Sequence, residues 1–122
     1  MRHVPAGSTR RQPVSHDPGL LKSVWLGAGE VAGLTQLART RLPAGTVTRA
    51  HAHTDMTELF ILLEGRLQAC IDGRELTLAA GDCLVVAPGE SHRLHNPGPG
   101  EADLIHFGLA PSTPGTRADP GL

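Results

Sequence analysis

The stretch TVTRAHAHTDMTELFILLEGRL, residues 46–67, places two histidines two positions apart and continues into an apolar run that a glutamate begins. Residues i and i+2 of a strand point to the same face, so we expect His51 and His53 to project together. Residues 54–57 are polar enough to form a turn, and Glu58 then begins a neighbouring strand. A carboxylate at the entrance of a buried strand is costly unless another group compensates its charge. The stretch therefore predicts two strands with a polar cluster between them.

A third histidine, His92, follows the turn PGES of residues 88–91 and begins another predicted strand. Three imidazoles and one carboxylate inside a small barrel would repel one another or stay desolvated, whereas a divalent metal makes each of them a ligand. An HxH pair alone is more often found on a protein surface, and Glu58 alone fits a polar group at a sheet edge. Neither alternative explains the whole set, which predicts a metal site formed by His51, His53, Glu58 and His92.

The composition limits the classes of protein that remain. A chain of 122 residues is long enough for one domain with one core, and its 15 glycines and 10 prolines favour short strands joined by turns. A net charge of -1 gives no basic surface for nucleic acid or an anionic membrane. No apolar run approaches the roughly 18 residues that span a bilayer. We therefore expect neither a nucleic acid nor a membrane as a partner.

Short runs separated by turn signals predict about eight strands. The dipeptide Asp72-Gly73 between two such runs predicts a β-hairpin. No segment shows a sustained helical period, so the pattern indicates an all-β sandwich or barrel. The predicted strands are residues 34–42, 47–53, 58–63, 67–71, 76–78, 83–87, 92–96 and 104–109.

The two ends of the chain lack this pattern. Residues 1–20 are rich in turn formers, which predicts a flexible N-terminal arm or an extended edge segment, and residues 111–122 are expected to be a disordered tail. The barrel is then expected at residues 21–110. No apolar stretch follows Arg10-Arg11, so we expect no export signal and a cytoplasmic location. Cys70 and Cys83 are interpreted as buried reduced residues, with a disulfide as the open alternative.

Two segments resemble the conserved motifs of the cupin family. The first motif, G-x5-HxH-x4-E-x6-G, is matched at Gly45, His51, His53, Glu58 and Gly65. The second motif, G-x5-P-x-G-x2-H-x3-N, is matched by GDCLVVAPGESHRLHN, residues 81–96, at Gly81, Gly89, His92 and Asn96. One position departs from it, since Ala87 replaces the motif proline and Pro88 follows. The resemblance covers about residues 33–109.

The resemblance implies a single-domain cupin, a double-stranded β-helix or jelly-roll barrel similar to RmlC-like proteins. It implies that His51, His53, Glu58 and His92 bind one divalent transition metal per chain, with about two positions open. Fe²⁺ or Mn²⁺ is favoured, and Zn²⁺, Ni²⁺ or Cu²⁺ also suits these ligands. It further implies a homodimer, because residues 34–42 and 104–109 carry apolar residues on both faces.

Strand parity suggests which side chains surround the metal. Phe60 and Leu62 share the parity of Glu58 and are expected inside, with Leu67 and Val85 extending an apolar lining. Met56, in the loop between the ligands, is a candidate for covering the pocket mouth.

Three further polar side chains belong to the segments around the two motifs or to the last predicted strand. Arg49 shares the parity of His51 and is either an anchor for an anionic substrate or a solvated arginine. His106 lies between apolar neighbours and is either a pocket residue or a core residue. His95 has the opposite parity to His92 and is expected to face away from the metal.

The function inferred from the resemblance belongs to one of two classes. The chain has no tyrosine, which argues against lyases of the family with a tyrosine base and against thiol dioxygenases with a Cys-Tyr pair. We expect a metal-dependent enzyme of the dioxygenase or isomerase/cyclase type that acts on a small oxygenated organic molecule, with Glu58 as the catalytic base. The alternative is a non-catalytic cupin that binds a small ligand or a metal, such as a sensor or accessory protein.

Overall fold

The computed structural model describes residues 1–111, and within this range the chain is almost entirely β-structure. One short 3₁₀ helix, Ala6–Ser8, is the exception. The all-β prediction is confirmed for these residues. The strands are β1 (Arg10–Val14), β2 (Asp17–Leu26), β3 (Leu34–Leu42), β4 (His51–Ala52), β5 (Thr57–Glu64), β6 (Arg66–Ile71), β7 (Arg74–Ala79), β8 (Cys83–Val86), β9 (Ser91–His95) and β10 (Ala102–Leu109).

The strands form two antiparallel sheets. One sheet has six strands in the order β1-β2-β3-β10-β5-β8, and the other has four in the order β4-β9-β6-β7. Consecutive strands along the chain alternate between the sheets from β3 to β6, which is the connectivity expected of the predicted jelly-roll barrel. Side chains from both sheets fill the interior, and Leu62, Leu67, Leu94 and Leu104 are each no more than 1% exposed.

Alternation along β5 shows how the sequence determines the two faces of the larger sheet. Glu58, Phe60 and Leu62 are buried on the inner face, whereas the residues between them are half-buried on the outer face. Burial of a side chain such as Phe60 contributes about 1.5–3 kcal/mol, so this strand supplies a substantial part of the core. Because its first inward residue is a carboxylate, the same alternation also brings Glu58 into the interior.

The hairpin predicted at Asp72-Gly73 is present. Ile71 pairs with Arg74, so the connection has two residues, and both have positive φ, 49° for Asp72 and 79° for Gly73. This is the backbone of a type I′ turn, in which glycine at the second position avoids the strain of a left-handed conformation.

The predicted strand at residues 47–53 is shorter than expected. Only His51–Ala52 is a strand, and Val47 makes an isolated bridge to His95. The side chain of Thr48 provides the reason, since the Leu94 backbone N–H donates to Thr48 Oγ1 at 2.9 Å. The Thr48 side-chain oxygen thus takes the place of a backbone carbonyl in the pairing with β9. The segment before His51 therefore does not form a regular strand.

The N-terminal region contributes two strands that the sequence patterns did not indicate. Strand β1 lies at the edge of the larger sheet, and β2 begins at Asp17, four residues before the expected start of the barrel. Within residues 1–20, Arg10–Val14 forms an edge strand, whereas β2 lies between β1 and β3 in the sheet. An edge position tolerates Pro13 because its missing N–H does not interrupt a central ladder. The tail predicted at residues 111–122 lies outside the described residues, apart from Pro111.

The two cysteines are free, and they lie on strands of different sheets. Cys70 on β6 is half-buried, but Cys83 on β8 is exposed. The expectation that both are buried is therefore wrong for Cys83, whose side chain occupies an outward position of an alternating strand.

The outer face of the larger sheet remains partly apolar. Leu21, Val85 and Leu109 are 50%, 56% and 45% exposed. The homodimer stays a prediction, and this face is the surface where we expect a second copy to bind. Within residues 1–111, no helix is long and apolar enough to cross a membrane.

His106 is a polar residue in the middle of the core. It has no exposed surface, and its Nε2 atom shares a hydrogen bond of 2.8 Å with Thr40 Oγ1. Its Nδ1 atom is buried without a hydrogen-bond partner among residues 1–111. Burial lowers the pKa of His106 to about 4, which the nearby Glu58 opposes and Lys22 reinforces. His106 is therefore neutral at pH 7.

Protonation of His106 should make the metal-free protein less stable in acid. The pKa is lowered from 6.5 to about 4 on folding, so the unfolded chain takes up the proton first and stability falls as the pH drops through that window. The full effect is roughly 3 kcal/mol. We expect His106→Gln, which does not titrate, to lose less stability than the wild type between pH 7 and pH 4.5. Urea unfolding in the presence of chelator measures both, and equal losses would contradict the assignment.

Candidate metal centre

The four predicted ligands come from both sheets and meet at one place in the interior. His51 on β4 lies directly opposite His92 on β9 in the smaller sheet, and His53 follows immediately after β4. Glu58 lies on β5, in the larger sheet, and reaches the cluster from the facing side. The glutamate was expected on a strand next to the HxH pair, but it lies across the barrel from it. The site therefore forms only when the two sheets pack together.

The geometry of the cluster is compact. One ligand atom from each of the four residues lies within 4.8 Å of all the others. The Oε1 atom of Glu58 is 3.1 Å from His92 Nε2 and 3.3 Å from His53 Nε2. His53, Glu58 and His92 are buried, and His51 is half-buried. The cluster is therefore nearest to solvent on the side of His51.

Backbone carbonyls hold two of the imidazoles in one orientation. His51 Nδ1 lies 3.0 Å from the Arg49 carbonyl oxygen, and His92 Nδ1 lies 3.3 Å from that of Glu90. A carbonyl only accepts, so the Nδ1 atom of each ring donates the proton, and each neutral ring keeps its lone pair on Nε2. This is the arrangement in which metal-binding histidines are usually found.

The Nε2 atoms of His51 and His92 therefore carry no proton, and both lie near the carboxylate of Glu58. With its proton on Nδ1, His92 has no hydrogen on Nε2 to donate to Glu58 Oε1 at 3.1 Å, and a cation bound between the two atoms would satisfy both. The Nε2 atom of His51 is buried and has no hydrogen-bond partner within residues 1–111. A divalent transition metal would satisfy all of these atoms at once, so the residues present fit such an ion.

The protonation state of His51 also suits a metal. Burial lowers the pKa of His51 below its usual value, and repulsion from the neighbouring imidazoles of His92, His16 and His53 adds to the effect. The ring is therefore neutral at pH 7, and the neutral ring is the form that binds metal ions.

The turn before β9 fixes the second motif in place. The Gly89 backbone N–H donates to the His53 carbonyl at 2.6 Å, and with φ of 85° the position favours glycine. Ala87, which replaces the motif proline, donates its N–H to Glu90 Oε1 at 2.7 Å. This hydrogen bond requires an N–H that proline lacks, so a proline at position 87 would lose it.

Asn96 has a structural position near the end of β9. Its Nδ2 atom donates to the carbonyls of Leu42 at 2.8 Å and Gly100 at 2.9 Å, and its Oδ1 atom accepts from the Gly98 N–H. Asn96 is 1% exposed, and its side chain joins the end of β3 to the loop of residues 98–100. It is not among the four clustered ligands.

The residues predicted to surround the metal divide into two groups. Phe60 is buried near the cluster, with its ring centroid 6.0 Å from that of His92. Met56 is buried too, but it packs with Thr35, whose Oγ1 lies 3.8 Å from the methionine sulfur, instead of covering an opening. Leu62 and Leu67 belong to the apolar core.

Two expected pocket residues point elsewhere. Val85 is 56% exposed on the outer face, so the expectation that it lines the pocket is wrong. The side chain of Arg49 is exposed, which fits the solvated alternative. Its backbone has the closer connection to the site, because its N–H donates to Asp17 and its carbonyl accepts from His51. His95 bonds Gln68 at 3.1 Å at the surface.

One histidine at the cluster was missed by the sequence analysis. His16 lies in the turn between β1 and β2, and its ring centroid is 4.3 Å from that of His51 and 5.8 Å from that of His53. It belongs to neither motif and falls in the segment interpreted as an arm or edge. The only available signal was a Ser15-His16-Asp17 turn between two extended runs.

Comparison with known proteins agrees with this architecture. The family model described as "Cupin domain" matches residues 38–108, which is more than half of the chain. An oxalate-binding protein of Thermotoga maritima is 29% identical over 68 residues. That alignment covers 56% of this chain and 56% of the relative. The chain thus spans about half the length of the curated relatives it matches.

Solved structures share the fold at lower sequence identity. A predicted oxalate decarboxylase from Thermotoga maritima superposes with a TM-score of 0.81 at 21% identity, covering 90% of this chain and 100% of the other. A sugar phosphate isomerase of the cupin superfamily from Silicibacter pomeroyi gives 0.75 at 21% identity, covering 90% and 76%. The family model, the barrel and the two motifs lead to one conclusion: the chain belongs to the cupin family.

Proposed function

We propose that the protein is a metal-dependent enzyme that acts on a small oxygenated organic substrate, through dioxygenase or isomerase/cyclase chemistry. The observation that carries this proposal is the convergence of three imidazoles and one carboxylate within 4.8 Å. A purely structural role explains such a cluster poorly, because its buried acceptors cost stability when no cation is bound.

The ligands have distinct duties in this proposal. His51, His53, Glu58 and His92 hold one divalent metal per chain, with Fe²⁺ or Mn²⁺ favoured. When bound, such an ion supplies Lewis-acid polarisation of a substrate oxygen, and iron also supplies reactivity toward O₂. The carbonyls of Arg49 and Glu90 keep the His51 and His92 rings aimed inward.

Glu58 is the candidate for moving a proton. It is the single carboxylate of the cluster, and its Oε1 atom already lies at hydrogen-bond distance from two imidazoles. Glu58 is 1% exposed, and burial strengthens its interaction with a developing positive charge or with an acidic C–H or O–H of a substrate. We propose that Glu58 acts as the general base.

A non-catalytic cupin is the second candidate. It is favoured by one specific observation, the name of the relative from Thermotoga maritima, which is described as oxalate-binding. The same four ligands serve both candidates, since a metal that binds two oxygens of a ligand need not promote a reaction. Turnover alone distinguishes them.

The distinguishing experiment uses protein loaded with Fe²⁺ or Mn²⁺ and a panel of substrates. The panel contains oxalate, sugar phosphates, diketones, enols and phenols, and the readouts are oxygen consumption and product formation. We expect turnover of at least one class by the wild type and a large loss of kcat in Glu58→Gln. Saturable binding without turnover throughout the panel would favour the non-catalytic alternative.

Removal of one ligand should remove the metal without unfolding the barrel. His92→Ala loses an imidazole next to Glu58, and we expect an affinity loss larger than the roughly 10–100-fold typical of a lost outer-shell partner. The apolar core, not the ion, joins the two sheets, so circular dichroism should stay close to the wild type. Metal analysis after desalting measures the loss, with His95→Ala on the same strand as the control. Full occupancy in His92→Ala would remove His92 from the ligand set.

Chelation should lower the melting temperature at pH 7.5. Metal at about a hundred times its dissociation constant stabilises the fold by about 2.7 kcal/mol, which for a domain of this size corresponds to roughly 5–15 °C. The difference should shrink as the pH falls from about 6 to 5, because protons compete for the three imidazoles. Scanning fluorimetry with and without chelator measures it. An unchanged melting temperature in protein shown to carry metal would place the ion outside this cluster.

A further inference from the structure

The chain has a single lysine, Lys22, and the structure buries it. It lies on β2 and is 4% exposed, although lysine is among the residues least often buried. Strand alternation accounts for its direction, since Val24 is buried on the same face while Leu21 is exposed on the other. The only lysine ammonium of the chain is therefore directed into the barrel.

A row of side chains on the inner face of the larger sheet connects Lys22 to the metal cluster. Lys22 pairs with Thr40 on β3, and Thr40 Oγ1 lies 2.8 Å from Nε2 of His106 on β10. The ring centroid of Phe60 lies 6.2 Å from that of His106 and 6.0 Å from that of His92. The row therefore runs from β2 across the sheet to a metal ligand.

The charge of Lys22 acts in the same region as the charge of Glu58. Both affect the pKa of His106, which Lys22 lowers and Glu58 raises. Because electrostatic effects weaken with distance, both charges lie near the His106 ring. The ammonium and the carboxylate of the cluster thus belong to one part of the interior.

The ammonium also lies near the side of the cluster that is closest to solvent. Its Nζ atom donates to Ser15 Oγ at 3.3 Å, in the turn between β1 and β2. The next residue, His16, has its ring centroid 4.3 Å from that of His51, the half-buried ligand. One turn of the chain thus borders both the ammonium and the His51 side of the cluster. A molecule that enters on this side would come close to both.

The balance of charge in the interior favours an anionic ligand. Apart from the histidines, the buried charged residues within positions 1–111 are Lys22, Glu58 and Asp103. Asp103 is paired with Arg39, so Lys22 and Glu58 remain to balance each other. Metal-binding imidazoles are neutral, and a divalent ion would therefore leave this interior with two uncompensated positive charges. An anion would compensate them, and its attraction is strong where little water is present.

We infer that Lys22 binds a carboxylate oxygen of the ligand held at the metal cluster, so that the substrate class of this site is a small carboxylic acid. The inference rests on the proposed function, and it narrows the substrate from any small oxygenated molecule to a carboxylate. Diketones and phenols lack this group and would interact with the ion alone.

The first experiment measures ligand binding to Zn²⁺-loaded protein by isothermal titration calorimetry, with two probes. Oxalate carries two carboxylates, whereas acetohydroxamate binds metal ions through two oxygens and has no carboxylate. In Lys22→Met we expect the Kd of oxalate to rise roughly 10–100-fold, because a hydrogen bond between charged groups is lost. The Kd of acetohydroxamate should change much less. Methionine is unbranched and adaptable, so the barrel should stay folded and keep its Zn²⁺ content.

The matched control is Arg11→Met, which removes a positive charge from an exposed position of the neighbouring strand β1. Arg11 pairs with Ser23, the residue after Lys22, but lies on the outside of the barrel. We expect this variant to bind oxalate as the wild type does. A loss equal to that of Lys22→Met would show a general effect of net charge and would contradict the inference.

The second experiment observes the lysine of the wild type directly. Because Lys22 is the only lysine, labelling with lysine that carries ¹⁵N at Nζ gives one ammonium signal in the NMR spectrum. In the Zn²⁺-loaded protein, we expect oxalate to shift this signal and acetohydroxamate to shift it much less.

Three results would overturn the inference: equal oxalate affinity in the wild type and Lys22→Met, an ammonium signal that oxalate leaves unchanged, or no oxalate binding by the Zn²⁺-loaded wild type. Each of them leaves the four-residue metal site intact. Failure of the wild type to bind Zn²⁺ at all would instead overturn the proposed function itself.

Discussion

The burial of one carboxylate among three imidazoles is the constraint on which the rest of the site depends. The Nε2 atoms of His53 and His92 lie 3.3 and 3.1 Å from the same carboxylate oxygen of Glu58, and all three residues are buried. A bound cation would compensate the carboxylate and take the imidazole lone pairs as ligands. The barrel brings these atoms together at a cost to its own stability, and a bound metal would offset that cost.

Much of the fold serves this convergence. The smaller sheet supplies His51 and His92 as a directly opposed pair, the larger sheet supplies Glu58, and the apolar core keeps the sheets at the required separation. The tight turn at Gly89 bonds the carbonyl of His53, so the loop after β4 and the start of β9 are positioned together. The hairpin formed by β1 and β2 is attached beside the cluster, because Asp17 accepts a hydrogen bond from the Arg49 backbone N–H.

Those features of the fold and of the site that depend on local spacing along the chain can be predicted from the sequence. Alternation in residues 58–63 and the Asp72-Gly73 turn are local patterns, and the two motifs fix the separations of the histidines and glutamate along the chain. The exposure of Val85 was missed because a short apolar run does not show which of its residues faces inward. His16 was missed because its position depends on the pairing of β1 with β2 and on a contact between residues 17 and 49, which no local pattern contains.

The most direct test of the central claim is anomalous diffraction from crystals of the Mn²⁺-loaded protein, with data collected on both sides of the manganese absorption edge. We predict one anomalous peak per chain, within about 2.0–2.3 Å of the Nε2 atoms of His51, His53 and His92 and of a Glu58 carboxylate oxygen. A peak located elsewhere on the chain would contradict the account, as would crystals of protein with measured manganese content that show no peak between these four residues.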